Sequence, residues 1–314
     1  MATKLDIKSY LDKKYEELAN KADMLEEKPK LATILVGDRA DSAIYVKNKE
    51  KALNKAHMQS ETFEITDGTN VKQIAALIEW LNADKSINGI LLQLPLNREY
   101  YSKDDENYLI NLIDPLKDVD GLTMVNQGKL FNSCNPNTYL QPCTPSGIIE
   151  YLKELDIFDT TGDRALVFGR SNLLGKPLAQ MLMDKGMTVT TIHSKSGLTA
   201  ARAIEEYKPH HIFLCTGQKN LVTAMDLMRH SKKVNNSVGP NMYSLIRTII
   251  DAGISRDKNG IRGDFRKEDY SLLEEREEFT SVNYTTVPGG VGPLTTYSLA
   301  SNTLKAYILQ KEVK

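Results

Sequence analysis

Short apolar runs closed by glycine or proline, each followed by a longer stretch of helical periodicity, recur along this chain and leave it few ways to fold. Leu31-Ala-Thr-Ile-Leu-Val36 stops at Gly37, and residues 42–56, rich in Lys and Ala, follow as a predicted helix. Phe63-Glu-Ile65 reads as a strand, residues 71–82 as a helix, and Gly89-Ile-Leu-Leu-Gln-Leu as a buried strand broken by Pro95. The order repeats further on: Ala165-Leu-Val-Phe168, a helix over 175–185, and Thr188-Val-Thr-Thr-Ile192, with more strands expected from His211 and Thr248. Alternation of this kind predicts an α/β fold, with parallel sheets covered on both faces.

Residues 5–27 carry apolar positions at helical spacing and predict an amphipathic helix. The interval 97–145, dense in Pro, Asn and Asp, reads as loops around a site and as a crossing into a second unit, with the boundary near Pro142. At about 100–200 residues per domain, 314 residues suggest two domains. The tail, 293–310, reads as a helix able to pack back on the first.

Charge narrows the partners. With 40 Lys and Arg against 41 Asp and Glu the formal net charge is −1, which argues against a nucleic-acid binder working by charge. No apolar run approaches the ~18 residues of a membrane span, and the charged N-terminus lacks the apolar core of a secretory signal, so no membrane association and a cytoplasmic location are expected. The 3 cysteines show neither a disulfide framework nor metal-ligand spacing, and no histidine is assigned to a metal.

Several constellations can carry chemistry. Gly169-Arg-Ser-Asn-Leu-Leu-Gly175-Lys-Pro177 follows a strand and opens a helix, where backbone amides can hold a phosphate; the bland reading is an ordinary strand-helix turn. Where an NAD site places an acid, the next strand ends in His193-Ser194-Lys195, and hydroxyls and cations suit a 2′-phosphate, favouring NADP over NAD. Tyr45 and Lys49 are four apart on one predicted helix, able to stack on a flat ring and to move a proton, although a solvated lysine is the default on so Lys-rich a helix. Gln93, at the end of an apolar strand, either aims at a site or bonds to backbone. The acids of Asp114-Pro-Leu-Lys-Asp118-Val-Asp120-Gly121 read first as turn chemistry, and Val287-Pro-Gly-Gly-Val-Gly-Pro293 as a rigid loop suited to close approach to a flat ligand.

Taken in order, 35–37 with 42–49, 89–96, Lys117-Asp-Val-Asp-Gly-Leu122, Pro142-Cys-Thr-Pro145, Gly169-Arg-Ser171, His193-Ser-Lys195 and Pro288-Gly-Gly-Val-Gly-Pro293 resemble the bifunctional methylenetetrahydrofolate dehydrogenase/cyclohydrolase family over nearly the whole chain. The resemblance implies two α/β domains flanking a cleft: a folate-binding catalytic domain of residues 1–141 plus 293–314, and a Rossmann-like NADP-binding domain of residues 142–292, with the last helix returning to the first domain. It implies oxidation of 5,10-methylenetetrahydrofolate by NADP and hydrolysis of the methenyl product to 10-formyltetrahydrofolate, with tetrahydrofolate derivatives as ligands, no metal, and a homodimer. Lys49 would assist proton transfer, Tyr45 would stack on the folate, Gln93 would tune the lysine and Asp120 would bind the pterin's amino edge. Leu92, Leu94 and residues Pro288, Gly289, Gly290, Val291 and Gly292 would line the folate pocket. Gly169, Arg170, Ser171, Ser194 and Ile254 would hold the cofactor. Residues 232–247 look like an insertion against the family pattern, and Thr286 stands where a proline is usual. The rivals are a monofunctional member keeping one step and a folate- or nucleotide-binding homologue without turnover; the presence of Lys49 speaks against the second.

Overall fold

Lys30-Leu-Ala-Thr-Ile-Leu-Val36 forms β2 (Lys30–Val36) and is buried along nearly all its length, as a central parallel strand covered on both faces must be. It pairs in parallel with β3 (Gln59–Ile65) on one side and β4 (Gly89–Leu92) on the other, in the order β3-β2-β4. The computed structural model describes residues 1–37, 40–157, 162–228, 246–258 and 260–312. Helices α1 (Ile7–Asp23), α2 (Ala40–Lys55) and α3 (Val71–Ala83) connect or flank these strands. Asn70 starts α3 by accepting a hydrogen bond from the Lys72 amide.

The interval 97–145 is not the run of loops that its composition suggests, for it contains α4 (Lys103–Leu112) and α5 (Met124–Phe131). The polar residues that read as turns are caps. Ser102 and Asp105 form a reciprocal capping box at the start of α4, and Thr123 accepts from the Asn126 amide at the start of α5. Leu109 and Ile110 of α4 then pack with Ile74, Ile78 and Leu81 of α3 over Ile34 and Ile90 of the sheet, giving one apolar core.

A second unit holds a larger sheet. β5 (Arg164–Phe168), β6 (Thr188–Ile192), β7 (His211–Leu214) and β8 (Thr248–Asp251) pair in parallel, and two short strands complete it in the order β1-β11-β8-β7-β5-β6. Those strands are β1 (Thr3–Lys4), from the N-terminus, and β11 (Asn283–Tyr284). Between β8 and β11 lie an antiparallel pair, β9 (Ser255–Asp257) with β10 (Gly260–Arg262). α6 (Cys143–Glu154) leads into β5, while α7 (Gly175–Asp184) and α8 (Ala200–Tyr207) link β5 to β6 and β6 to β7. A further short helix, α9 (Tyr270–Glu275), precedes β11. Phe168, Leu214, Ile249, Phe265 and Phe279 are among the side chains filling the core.

The chain therefore divides into two compact units, one of residues Ser9–Ser146 with Thr295–Lys314 and one of Met1–Lys8 with Gly147–Leu294. The last helix, α10 (Val291–Glu312), belongs for most of its length to the first of these. There Tyr297 meets Tyr15 of α1 edge to face at 5.3 Å, and Gln310 donates to the Asn88 and Leu116 carbonyls. Among the described residues no helix is long and apolar enough to cross a membrane.

Candidate active site

In the unit that holds the three-stranded sheet, Lys49 projects from α2 and its ammonium donates to Gln93 Oε1 at 2.9 Å. β4 ends one residue before Gln93, whose own amide nitrogen donates to Ile34 O, so the sheet fixes the backbone that carries it. Gln93 Nε2 donates to the Leu94 carbonyl, which leaves Oε1 directed at the lysine. Burial lowers the Lys49 pKa from its ordinary value, while the negative charge of Asp120 acts in the opposite direction. A lysine so placed exchanges its proton nearer neutral pH than a solvated one.

The acidic loop delivers Asp120 through its neighbours. Gly89 makes room for it: a Cβ there would lie 2.5 Å from Val119 Cγ1, so only glycine lets the segment lie along β4, where the Ile90 amide donates to Lys117 O. Buried Lys117 gives its ammonium to the carbonyls of Leu81, Asn82 and Asp84, closing the C-terminal end of α3. Asp118 accepts from the amides of Leu122 and Thr123 and from Asn126 Nδ2; burial nonetheless pushes its pKa up to about 6. Gly121 turns the chain with φ +66°, where an added Cβ would sit 2.4 Å from the Gln141 carbonyl carbon. Lys117 and Asp118 are thus structural, and Asp120, half-buried, is the acid left facing Lys49.

Two residues that the sequence did not single out for this site complete it. The Cys143 thiol donates to Val119 O at 3.1 Å, hydrogen-bonds Asp120, and is raised well above the usual thiol range by burial. Asn302 of α10 donates to Val119 O and Gln141 O, both at 2.8 Å, and lies 3.6 Å from Cys143 Sγ. Cys143 sits in the Pro142-Cys-Thr-Pro145 motif, which was the available signal; Asn302 had none. Tyr45 falls within α2, but its side chain lies outside the described residues. Leu92 is enclosed in the apolar core with Leu94 packed against it, so a ligand could meet the backbone of Leu92 but not its side chain.

The other predicted residues lie in the second unit. Gly169 ends β5 with φ +113°, and a Cβ there would lie 2.5 Å from Cys215 O. Arg170 and Ser171 follow, both exposed. Ser171 Oγ accepts from the amides of Leu174 and Gly175 at the start of α7, and no side chain caps that helix from its N-cap position, Leu174. The Gly169 amide donates to Ile192 O, so this turn runs beside the one that carries His193, Ser194 and Lys195. Ser194 and Lys195 are exposed, and no carboxylate stands at the end of β6. A glycine turn at the start of α7 and a cationic strand end fit a dinucleotide with a 2′-phosphate. Ile254, exposed at 47%, stands in the turn after β8. Pro288 and Gly289 are exposed in the turn before α10, and Gly290 is pressed against Thr286 O, 2.5 Å from where its Cβ would be. Most of the segment 232–247 lies outside the described residues. Among those described, no His, Cys, Asp and Glu side chains are grouped to hold a metal ion.

A doubly wound parallel sheet in one unit and a lysine-centred site in the other define a two-domain, nucleotide-using α/β enzyme. Residues 5–120 match the tetrahydrofolate dehydrogenase/cyclohydrolase catalytic domain and residues 142–311 the NAD(P)-binding domain of the same family. The chain belongs to the tetrahydrofolate dehydrogenase/cyclohydrolase family. It is 36% identical over 313 residues to the bifunctional protein FolD of Streptococcus agalactiae, covering 98% of each chain. It is likewise 36% identical over 311 residues, again 98% of each, to FolD of Streptococcus pyogenes. The crystal structure of the bifunctional FolD methylenetetrahydrofolate dehydrogenase/cyclohydrolase from Campylobacter jejuni superimposes with a TM-score of 0.82 at 31% identity, covering 99% of this chain and 100% of that one. The Trypanosoma brucei methylenetetrahydrofolate dehydrogenase-cyclohydrolase, complexed with NADP and an inhibitor, does so with a TM-score of 0.80 at 27% identity, covering 100% and 99%.

Proposed function

We propose that this chain oxidises 5,10-methylenetetrahydrofolate with NADP and hydrolyses the 5,10-methenyl product to 10-formyltetrahydrofolate. The observation that carries the reading is Lys49 held on Gln93 with Asp120 facing it, in a chain whose relatives are named bifunctional. A binding protein without turnover has no use for a lysine desolvated and aimed in this way.

The unit that carries Lys49 holds the folate, with Asp120 accepting from the amino edge of the pterin and Tyr45 stacking on its ring. Leu92, through its backbone, and Leu94 supply further walls. Gly169, Arg170, Ser171, Ser194 and Ile254 would hold NADP, which would supply the acceptor for the hydride leaving the one-carbon bridge. Arg170 and Ser194 receive the 2′-phosphate. Water then adds to the methenyl carbon and Lys49 takes the proton that the water releases. The same group returns a proton to N5 as the C–N5 bond breaks and the hydroxyl proton passes to water, leaving the formyl group on N10. Gln93 holds the lysine nitrogen in line for both transfers. The reading includes a homodimer in the cytoplasm, and light scattering of the purified protein tests the assembly.

The experiment for the reaction follows reduced nicotinamide and methenyl-folate by absorbance after mixing protein with 5,10-methylenetetrahydrofolate and NADP. Reduction with little methenyl build-up is expected. Hydrolysis of added methenyl-folate without any reduction would reassign the chain as a cyclohydrolase alone.

A further inference from the structure

Three backbone turns meet at the C-terminal edge of the larger sheet, where doubly wound folds bind their ligand beside the reversal in strand order, here between β5 and β7. The turn after β5 abuts the turn after β7, since a Cβ on Gly169 would touch Cys215 O. The turn after β7 abuts the turn after β8, since a Cβ on Gly217 would lie 3.0 Å from Ile254 O. Such spacing is tighter than side chains allow, so something must hold the turns together.

Asp264, following β10, is fully buried beneath them. Its Oδ2 accepts from both the amide and the hydroxyl of Thr216, each at 2.7 Å. Its Oδ1 finds no hydrogen-bond partner among the described residues and is wedged against the turn after β8, 2.0 Å from where a Cβ on Gly253 would be. Its amide donates to Asp251 Oδ1, the oxygen that also accepts from the Gly253 amide, so the base of the β8 turn is tied to the same segment. A carboxylate buried without a cation is costly and is kept where its geometry matters.

We propose that Asp264 is a positioning residue for hydride transfer: by fastening Thr216 and seating Gly253, it sets the spacing of the two turns against which the nicotinamide half of NADP lies. This rests on the dehydrogenase reading above. The Asp264 hydrogen bonds reach Thr216 and Asp251 and not Gly169 to Ser171 or Ser194, so in this proposal the residue governs the placement of the reacting ring rather than the anchoring of the adenosine half.

The test uses the full chain with Asp264→Ala, and with Thr216→Val, which removes the hydroxyl that donates to Asp264 and accepts from the Gln218 amide but keeps the Thr216 amide on Asp264. Three readouts are compared: kcat for NADP reduction, affinity for adenosine 2′,5′-bisphosphate as a probe of the adenosine half, and hydrolysis of methenyl-folate. A misplaced ring lowers kcat on the order of tenfold to a hundredfold in Asp264→Ala and by less in Thr216→Val. Affinity for the bisphosphate and the rate of methenyl hydrolysis stay at their unsubstituted values. A kcat that does not move, or one that falls together with bisphosphate affinity, overturns the proposal. If Asp264→Ala does not fold, Thr216→Val decides by the same criteria. An unsubstituted protein that binds no bisphosphate and reduces no NADP overturns the dehydrogenase reading and this one with it.

Discussion

Asn302, on the last helix, donates its side-chain amide to Val119 O at 2.8 Å and thereby holds the backbone one residue before Asp120. The same nitrogen bonds the Gln141 carbonyl. Leucine fits the volume and removes both hydrogen bonds, leaving the Gln141 carbonyl without this donor and Val119 O with the Cys143 thiol alone. Asn302→Leu is expected to cost about 1–3 kcal/mol in urea unfolding, the penalty of one orphaned group. Its folded fraction should hydrolyse methenyl-folate more slowly than the unsubstituted protein. Full rate and full stability would mean that the loop is held without α10.

The charge of Asp120 favours the protonated form of Lys49 and so opposes the larger lowering that burial imposes. Neutral lysine is the form that accepts a proton from water, so hydrolysis should rise with pH as Lys49 deprotonates. Asp120→Asn removes the opposing charge and lowers the Lys49 pKa further. The rising limb of kcat against pH should therefore move to lower pH in this variant, whatever happens to KM. A limb that stays in place or moves up contradicts the electrostatic role given to Asp120.

His211 is buried between Asp163, at 3.0 Å from Nε2, and Thr248, at 2.8 Å from Nδ1, with Arg247 also on Asp163. Burial holds its pKa below the ordinary 6.5, with Asp163 acting the other way and Arg247 adding to the lowering. As pH falls below 6.5 the unfolded chain gains a proton that the folded chain refuses, so stability present above that pH is lost toward the depressed folded value. Urea midpoints should drop between neutral pH and the acid side of this window, and His211→Gln should make the drop shallower. An equal slope in both proteins would locate the acid sensitivity elsewhere.

The α/β architecture was legible because its buried strands are apolar runs and its helices periodic: residues 188–192 and 211–214 stand where the pattern places them. α4 and α5 were hidden because Ser102, Asp105 and Thr123 belong to the vocabulary of turns as much as of caps. β1 and β11 are two-residue strands whose pairing joins Thr3 to Asn283, a contact that no local pattern announces. At the site, the Lys49–Gln93 hydrogen bond matches what the family resemblance implied, whereas the helix spacing of Lys49 alone pointed to solvent. Cys143 and Asn302 reach the Asp120 segment only through the tertiary fold, Asn302 across 183 residues of chain.

Arg170 is exposed beside the turn that carries Ser194. If the two meet the 2′-phosphate, Arg170→Ala should lower kcat/KM for NADP about tenfold to a hundredfold, the worth of one charge-assisted hydrogen bond, and leave NAD kinetics as they were. An unchanged ratio of NADP to NAD efficiency would remove Arg170 from phosphate recognition.

The most direct measurement is the loss of methenyl-folate absorbance catalysed by Lys49→Met beside the unsubstituted protein, followed by NADP reduction from 5,10-methylenetetrahydrofolate in the same two samples. Loss of the proton-transfer group should slow hydrolysis at least ~100-fold. NADP reduction that survives the substitution should then leave the methenyl product accumulating. Hydrolysis by Lys49→Met at the unsubstituted rate would contradict the account, because the centre built by Lys49, Gln93 and Asp120 would then not be where water is activated.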